Sequence, residues 1–146
     1  MTAVLQARDG YLWLGTSNGL ARFDGVRFST FRAMDHPGLR SNHILCLCED
    51  REGILWAGTA DGGLVRCEKE QFACVTSSDG LASDTILCVE PDRAGGLWVG
   101  TDGGLNHLRN GQVDGFFQSV ALADDPVYAL CQPHRSPVLL ATPKGL

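Results

Sequence analysis

The sequence predicts an all-β fold, and within that class a partial β-propeller, from three observations. The first is a repeat of about 42 residues, marked by Trp13, Trp56 and Trp98. The second is a series of short apolar runs separated by tight turns. The third is the glycine content: 18 of 146 residues, or about 12%, against a usual value of about 7%. Repeats of this length are typical of solenoids and propellers.

The repeat is defined by a pentapeptide that occurs three times intact and once in degraded form. The copies are LWLGT at 12–16, LWAGT at 55–59, LWVGT at 97–101 and VLLAT at 138–142. A short turn precedes each intact copy, and Gly-Leu follows every copy, at 19–20, 63–64, 104–105 and 145–146. The flanks therefore repeat together with the pentapeptide, which indicates a repeated structural unit.

Each period contains four short strands and no helical pattern longer than one turn. Asp24-Gly25 and Asn110-Gly111 are dipeptides that favour two-residue hairpin turns, so successive strands are expected to be antiparallel. Four antiparallel strands per repeat are the make-up of a propeller blade. A solenoid of parallel coils has shorter rungs and turns that are less like hairpins, so the propeller is preferred.

The strands predict one segment over residues 1–146, with three and a half blades. The expected boundaries are about 1–31, 43–76 and 86–118, followed by half a blade at 127–142. Propellers close with about four to eight blades, so an arc of this size leaves apolar lateral faces open. The arc is expected to meet either the remaining blades of a longer parent chain or a second copy in a homodimer. A stable isolated arc is the third alternative.

Composition excludes several classes of partner. Twelve Lys and Arg against seventeen Asp and Glu give a net charge of −5, which disfavours nucleic acid and anionic membrane surfaces. No apolar run approaches the roughly 20 residues of a spanning helix, and no secretory signal follows Met1. We therefore expect no nucleic-acid binding and no membrane contact by this segment.

Cysteine and histidine are abundant enough to raise the question of a metal site. The six cysteines occupy repeat positions that hold residues such as Ala3 or Phe23 elsewhere, so they are predicted to be packing residues. They are Cys46, Cys48, Cys67, Cys74, Cys88 and Cys131. The four histidines, at 36, 43, 107 and 134, share no repeat position and are predicted to be solvated. No catalytic motif, metal site or cofactor site is expected.

The tryptophans and the glycines that follow them are assigned to packing between blades. Trp13, Trp56 and Trp98 are predicted to pack blade against blade, with sugar stacking as the alternative. Gly15, Gly58 and Gly100 are predicted to let neighbouring sheets approach where a Cβ would clash.

One polar position recurs and supplies the candidate ligand surface. Asn42, Asp84 and Asp125 each lie two residues before an innermost strand, and the turns at Asn18, Asp61 and Asp102 share that rim. Because propellers generally bind ligands on such a rim, these six residues are the candidate ligand-binding set. The alternative is that Asn and Asp occur there as turn formers.

Three strings carry a specific resemblance: 9–16 (DGYLWLGT), 18–25 (NGLARFDG) and 38–42 (GLRSN). They resemble the two-component regulator propeller repeat, strongly in the first two copies and loosely after residue 115. The resemblance implies a non-catalytic sensor propeller, periplasmic or otherwise extracytoplasmic, of a histidine kinase, hybrid kinase or diguanylate cyclase. It also implies a small-molecule or oligosaccharide ligand.

Two alternatives to a signalling sensor remain open from the sequence. A propeller-type lyase or hydrolase would need His, Glu or metal ligands that converge on the channel. A self-associating interaction scaffold in the cytosol would be favoured by thiols that stay reduced, whereas six thiols fit an oxidising periplasm less well.

Overall fold

The chain forms successive antiparallel sheets, each of which is a meander of strands adjacent in sequence. The computed structural model describes residues 2–117, 125–133 and 137–145. In these residues the strands are β1 Ala3–Gln6, β2 Leu12–Thr16, β3 Gly19–Phe23, β4 Phe28–Phe31, β5 Ile44–Glu49, β6 Leu55–Thr59, β7 Leu64–Glu68, β8 Gln71–Val75, β9 Ile86–Pro91, β10 Leu97–Thr101, β11 Gly104–Arg109, β12 Gln112–Phe117, β13 Ala129–Cys131 and β14 Leu139–Ala141. Residue 1 of the expected first blade, residue 118 of the expected third blade and 134–136 of the expected half blade lie outside the described residues.

The sheet order confirms the predicted all-β partial propeller. Three four-stranded sheets run β1-β2-β3-β4, β5-β6-β7-β8 and β9-β10-β11-β12, and β13 pairs with β14. The first strand of each sheet lies beside the first strand of the next, so β1, β5, β9 and β13 form the inner edge of the arc. In the described part of the chain the helical structure is one 3₁₀ turn, Ser77–Asp79. No helix of that part is long and apolar enough to span a bilayer.

A hydrogen bond to a backbone carbonyl, at or just before the start of an inner strand, joins each of β5, β9 and β13 to the preceding blade. The pairing of β5 with β6 shifts between Ile44 and Cys46, which is a β-bulge. The carbonyl oxygen of Ile44 accepts a hydrogen bond from Thr2 Oγ1 of the previous blade. Cys46 Sγ donates to the Ile86 carbonyl at 3.8 Å, and Cys88 Sγ donates to the Val127 carbonyl at 3.3 Å. The predicted packing role of Cys46 and Cys88 therefore includes a contact with the next blade.

The hydrophobic core lies between the blades, in regions that we call seams. In the first seam, Trp13, Leu20 and Phe31 of the first blade pack against buried residues of the second. In the second seam, Trp56, Leu64 and Val75 of the second blade pack against the third. The apolar partners supplied by the following blade are Leu55, Ala57 and Val65 in the first seam and Ile86, Leu97, Val99 and Leu108 in the second. The predicted blade-to-blade packing of Trp13 and Trp56 is confirmed.

The first blade has one lateral face without a neighbour among the described residues. Val4 and Phe28 are 57% and 63% exposed. Leu12 and Leu14 are half-buried, whereas their equivalents Leu55 and Ala57 in the second blade are buried by the preceding blade. The difference comes from the presence or absence of an adjacent blade, because the residue types are similarly apolar.

Candidate functional site

The predicted rim exists as a continuous edge of the arc. A threonine at the end of each second strand builds the turn that follows: Thr59 Oγ1 donates to the Gly63 carbonyl at 2.7 Å and accepts from the Gly62 N–H at 2.9 Å. Thr16 and Thr101 make the matching hydrogen bonds in the first and third blades. These turns therefore share one geometry and project from the same end of each blade.

Hydrogen bonds across the seams join each turn to the segment that enters the next blade. The Gly19 N–H donates to the Asn42 carbonyl at 2.6 Å, which brings Asn18 beside the Asn42 segment. The Gly63 N–H donates to the Asp84 carbonyl at 2.9 Å. The Val127 N–H donates to the Thr101 carbonyl at 2.9 Å, so the six candidate residues lie along one edge as neighbours across successive seams.

Three of the six candidate side chains are occupied within the fold. Asn42 Oδ1 accepts the Ala33 N–H at 2.7 Å, and Asp84 Oδ1 accepts the Ser77 N–H at 2.7 Å. Each thereby fixes the link that leaves the preceding blade. Asp125 Oδ2 forms an ion pair with Lys144 Nζ at 2.8 Å. These half-buried side chains stabilise the edge.

The other three candidates present their side chains to solvent. Asn18, Asp61 and Asp102 are exposed, and their side chains bond to no residue in the described ranges. Their amide and carboxylate oxygens are therefore available to a ligand's donors. The rim divides into structural residues before the inner strands and open polar residues on the turns.

His107 departs from its predicted solvated environment and lies buried on β11. Its Nδ1 lies 2.6 Å from Asp114 Oδ1, and its Nε2 lies 2.8 Å from Asp92 Oδ2. Its ring also packs edge-to-face on half-buried Trp98, with centroids 4.6 Å apart. The prediction was wrong because it compared the histidines only with one another, whereas His107 occupies the repeat position of Arg22 and Arg66, opposite a tryptophan.

The acid Asp92 is held ionised by its surroundings. Burial by itself would raise the pKa of its carboxyl, but the Ala94 N–H and His107 outweigh burial and hold that pKa below its ordinary value of 3.8. The Asp92–His107–Asp114 cluster links the turn after β9 to β11 and β12 of the same blade, and so holds this turn in position.

The remaining histidines are not equivalent to His107. His36 is half-buried and its ring lies tilted against those of Phe31 and Phe72, with ring centroids 5.4 and 5.0 Å apart, so it also departs from the solvated prediction. His43 is exposed as predicted, and His134 lies outside the described residues.

All six cysteines are free thiols. Burial raises the pKa of Cys46 and of Cys88 to about 12 and that of Cys67 to about 11. These thiols are therefore protonated and serve as packing groups, whereas Cys131 is exposed. Among the described residues, no group of three or more His, Cys, Asp or Glu could hold a metal ion.

Two equivalent clefts open at the end of the arc opposite the rim, one in each complete seam. The first cleft, of about 480 Å³, is lined by Trp13, Arg22 and Glu70 among others. The second, of about 440 Å³, is lined at matching positions by Trp56, Arg66 and Gly111. Sequence reasoning missed both clefts, because their walls come from residues more than 40 positions apart.

The repeats were compared with models of known protein families. Residues 1–18, 38–61 and 80–103 match the two component regulator propeller family. Together these three segments cover 66 of the 146 residues of the chain. The predicted resemblance is confirmed, and the matched segments contain the inner strands, the Trp-Gly pentapeptides and the rim turns of three blades. No match was found among curated protein sequences.

Solved structures show the same fold in longer protein chains. One extracellular domain, described as part of a hybrid two component system from B. thetaiotaomicron, has a TM-score of 0.77 and 22% identity over 89% of this chain. A second from the same organism has a TM-score of 0.77 and 25% identity over 96% of this chain. The chain spans 20% and 22% of those two structures.

A lyase shares the fold at greater distance. Virginiamycin B lyase from Staphylococcus aureus has a TM-score of 0.63 and 10% identity, over 82% of this chain and 41% of its own. At this identity the likeness concerns the propeller architecture alone.

Proposed function

We propose that this chain is a segment of an extracytoplasmic, ligand-sensing propeller in a transmembrane signalling protein. The observation that carries the proposal is the match of three repeats to the two component regulator propeller family. The likeness to extracellular domains described as parts of hybrid two component systems supports the extracytoplasmic location. The ligand-binding segment itself is non-catalytic, and the output lies in another domain of the parent protein.

The rim is the proposed ligand surface. Asn18, Asp61 and Asp102 offer exposed oxygens along one edge, which suits a small polyhydroxylated molecule or an oligosaccharide whose hydroxyls donate to them. The other candidates, Asn42, Asp84 and Asp125, hold the links beneath. The turn-former alternative accounts well for Asn42 and Asp84 but gives no role to the three exposed side chains.

A further blade of the same repeat is the proposed partner of the first blade. The equivalents of Leu12 and Leu14 in the second blade, Leu55 and Ala57, are buried by the Trp and Gly face of the blade before it. The same kind of face fits the exposed side of the first blade. It comes either from the remaining blades of a longer parent chain or from a second copy of this segment.

The rim proposal is tested by thermal denaturation of the chain with a panel of mono- and oligosaccharides. A ligand that binds the folded state raises the melting temperature. The rise should disappear in the Asp61→Ala/Asp102→Ala variant and persist in the control Ser17→Ala, another exposed residue of the rim turns. Equal rises in the double variant and the control would overturn the rim as the site.

The signalling proposal is tested separately in the parent reading frame. A transmembrane helix followed by a kinase or cyclase domain is the expected arrangement. A hydrolase or lyase domain in that frame, with no transmembrane segment, would contradict it.

A further inference from the structure

The two clefts between blades differ in how their arginines are neutralised. In the first seam, Arg22 Nη2 of the first blade forms an ion pair with Glu70 Oε1 of the second at 2.7 Å. Arg8 Nε of the first blade pairs likewise with Glu49 Oε1 at 2.9 Å. Two cross-blade carboxylates therefore meet two arginines at this seam.

The second seam keeps both arginines and has lost both carboxylates. Arg51 and Arg66 stand at the repeat positions of Arg8 and Arg22 and line the second cleft. The positions of Glu49 and Glu70 are held there by Pro91 and Gly111. Gly111 corresponds to Glu70 because the two residues follow matching residues in matching turns, with φ of 75° and 63°.

The other charges around the second cleft do not replace the missing acids. Arg66 Nη2 pairs with Glu68 Oε2 at 2.8 Å on its own strand, but both side chains are exposed enough for such a pair to contribute little. The side chain of Arg51 has no hydrogen-bond or ion-pair partner in the described residues. Glu52 also lines the cleft but is not paired with Arg51. Asp50 is already occupied, since its Oδ2 accepts from Trp56 Nε1 at 2.9 Å.

The first seam shows that an arginine at the repeat position of Arg66 forms an ion pair with a carboxylate from across the cleft. Asp24 holds the position of Glu68 in the first blade, yet Arg22 pairs with Glu70 instead. Asp24 accepts the Val26 and Arg27 N–H groups of its own turn. Glu70 therefore marks where a carboxylate sits relative to the tryptophan and arginine of a cleft.

We propose that the cleft between the second and third blades binds a small dicarboxylate, whose carboxylates take the places that Glu49 and Glu70 occupy in the first seam. Arg66 and Arg51 supply the charge-assisted hydrogen bonds, and Trp56 supplies apolar surface for the carbon chain. A volume of about 440 Å³ suits a small molecule. This site lies at the opposite end of the arc from the rim and does not rest on the rim proposal.

The test is calorimetric titration of the chain with glutarate, with glutaramide as the neutral analogue. Glutarate should bind with one site per chain and glutaramide should not. Arg66→Gln and Arg51→Gln should each weaken binding about tenfold, the usual effect of losing a charged hydrogen bond. The matched control Arg27→Gln removes an exposed arginine of a turn outside the cleft and should bind as the wild type does.

Gly111→Glu is the most selective variant, because it supplies the missing carboxylate from within the chain. A Cβ on Gly111 meets nothing within 4 Å, and Glu70 already adopts the positive φ required there. The variant should melt slightly below the wild type, because a side chain at this positive φ is strained, and it should lose glutarate binding. No binding to the wild type up to about 10 mM, or equal weakening in Arg66→Gln and Arg27→Gln, would overturn the proposal. Neither result bears on the rim, which is tested by Asp61 and Asp102.

Discussion

Ile86 of the third blade lies directly over Gly58 of the second, so close that a Cβ on Gly58 would lie 2.7 Å from Ile86 Cγ2. Gly15 stands in the same relation to Ile44, at 2.6 Å, and Gly100 to Val127, at 2.9 Å. The glycine of each intact pentapeptide is thus a point where one blade touches the inner strand of the next, or the segment that leads into it. This confirms the reason predicted for these glycines, and none of the three has a positive φ.

Gly58→Val should destabilise the chain strongly, by about 3 kcal/mol, because the added side chain must displace Ile86 and Cys46 in a closely packed seam. Urea denaturation followed by tryptophan fluorescence measures the change. Thr30→Val, a β-branched substitution at an exposed strand position, is the control and should stay within about 0.5 kcal/mol of the wild type. A Gly58→Val variant as stable as that control would contradict the seam geometry.

Asp50→Ala should cost about 2 kcal/mol, because it leaves the indole N–H of buried Trp56 without its acceptor. Asp50 Oδ1 also accepts the Glu52 and Ile54 N–H groups, so the turn before β6 loosens as well. Asp9→Ala is the comparison, since Asp9 accepts from the exposed Tyr11 N–H. Equal unfolding free energies for the two variants would show that the Trp56 contact has no energetic role.

Stability should fall in acid through Asp92. Its pKa in the folded state lies below the ordinary value of 3.8, so the unfolded chain binds the proton more readily. The contribution of Asp92 is therefore full above about pH 4 and is lost as the pH falls through the lowered pKa. In urea titrations, the stability difference between the wild type and Asp92→Asn should shrink from about pH 6 to about pH 2. A pH-independent difference would mean that the Asp92 contacts do not depend on its charge.

Thiol reactivity should separate Cys131 from the buried cysteines. Cys131 is exposed, whereas burial raises the pKa of Cys46 and of Cys88 to about 12, and the thiolate is the reactive form. Ellman's reagent should modify one thiol rapidly in the folded chain and all six in denaturant. Cys131→Ser should remove the rapid phase. Rapid reaction of several thiols in the folded Cys131→Ser chain would contradict the packing role.

The exposed face of the first blade should control the association state. Light scattering after size-exclusion chromatography gives the mass of the chain, and a defined dimer would show that a second copy covers this face. Phe28→Glu places a charge on the face, where Phe28 is 63% exposed, and should convert such a dimer to monomer. Poorly folded monomer or aggregate of the wild type would assign the face to blades of a longer parent chain. A well-folded monomer would contradict the need for a covering blade.

The blades were predictable because their signals are local and repeated. Each intact copy has a tryptophan such as Trp56, a glycine two residues later and hairpin turns. Aligning the copies therefore gives the strands and also the position of the rim. The exposed side chains of Asn18 and Asp61 belong to turns that any blade must have. Their positions therefore follow from the repeat, whereas the identity of a ligand does not.

The contacts across seams were not predictable in the same way. Arg22 and Glu70 are 48 positions apart and leave no local pattern, and the pair becomes visible only when one blade is packed on the next. His107 carried a usable signal, since it shares the repeat position of Arg22 and Arg66. The half-buried arginines opposite Trp13 and Trp56 would have indicated that this histidine is also shielded from solvent and hydrogen-bonded.

The apolar residues of the two complete seams form separate clusters instead of one continuous core. The free energy of folding is then a sum of contributions from each blade and from each contact between adjacent blades, as in a one-dimensional array. The second blade belongs to both clusters, whereas the first blade belongs to one. Loss of structure should therefore fray inward from the first blade, and the amide protons of β5 and β6 should be among the last to exchange with solvent.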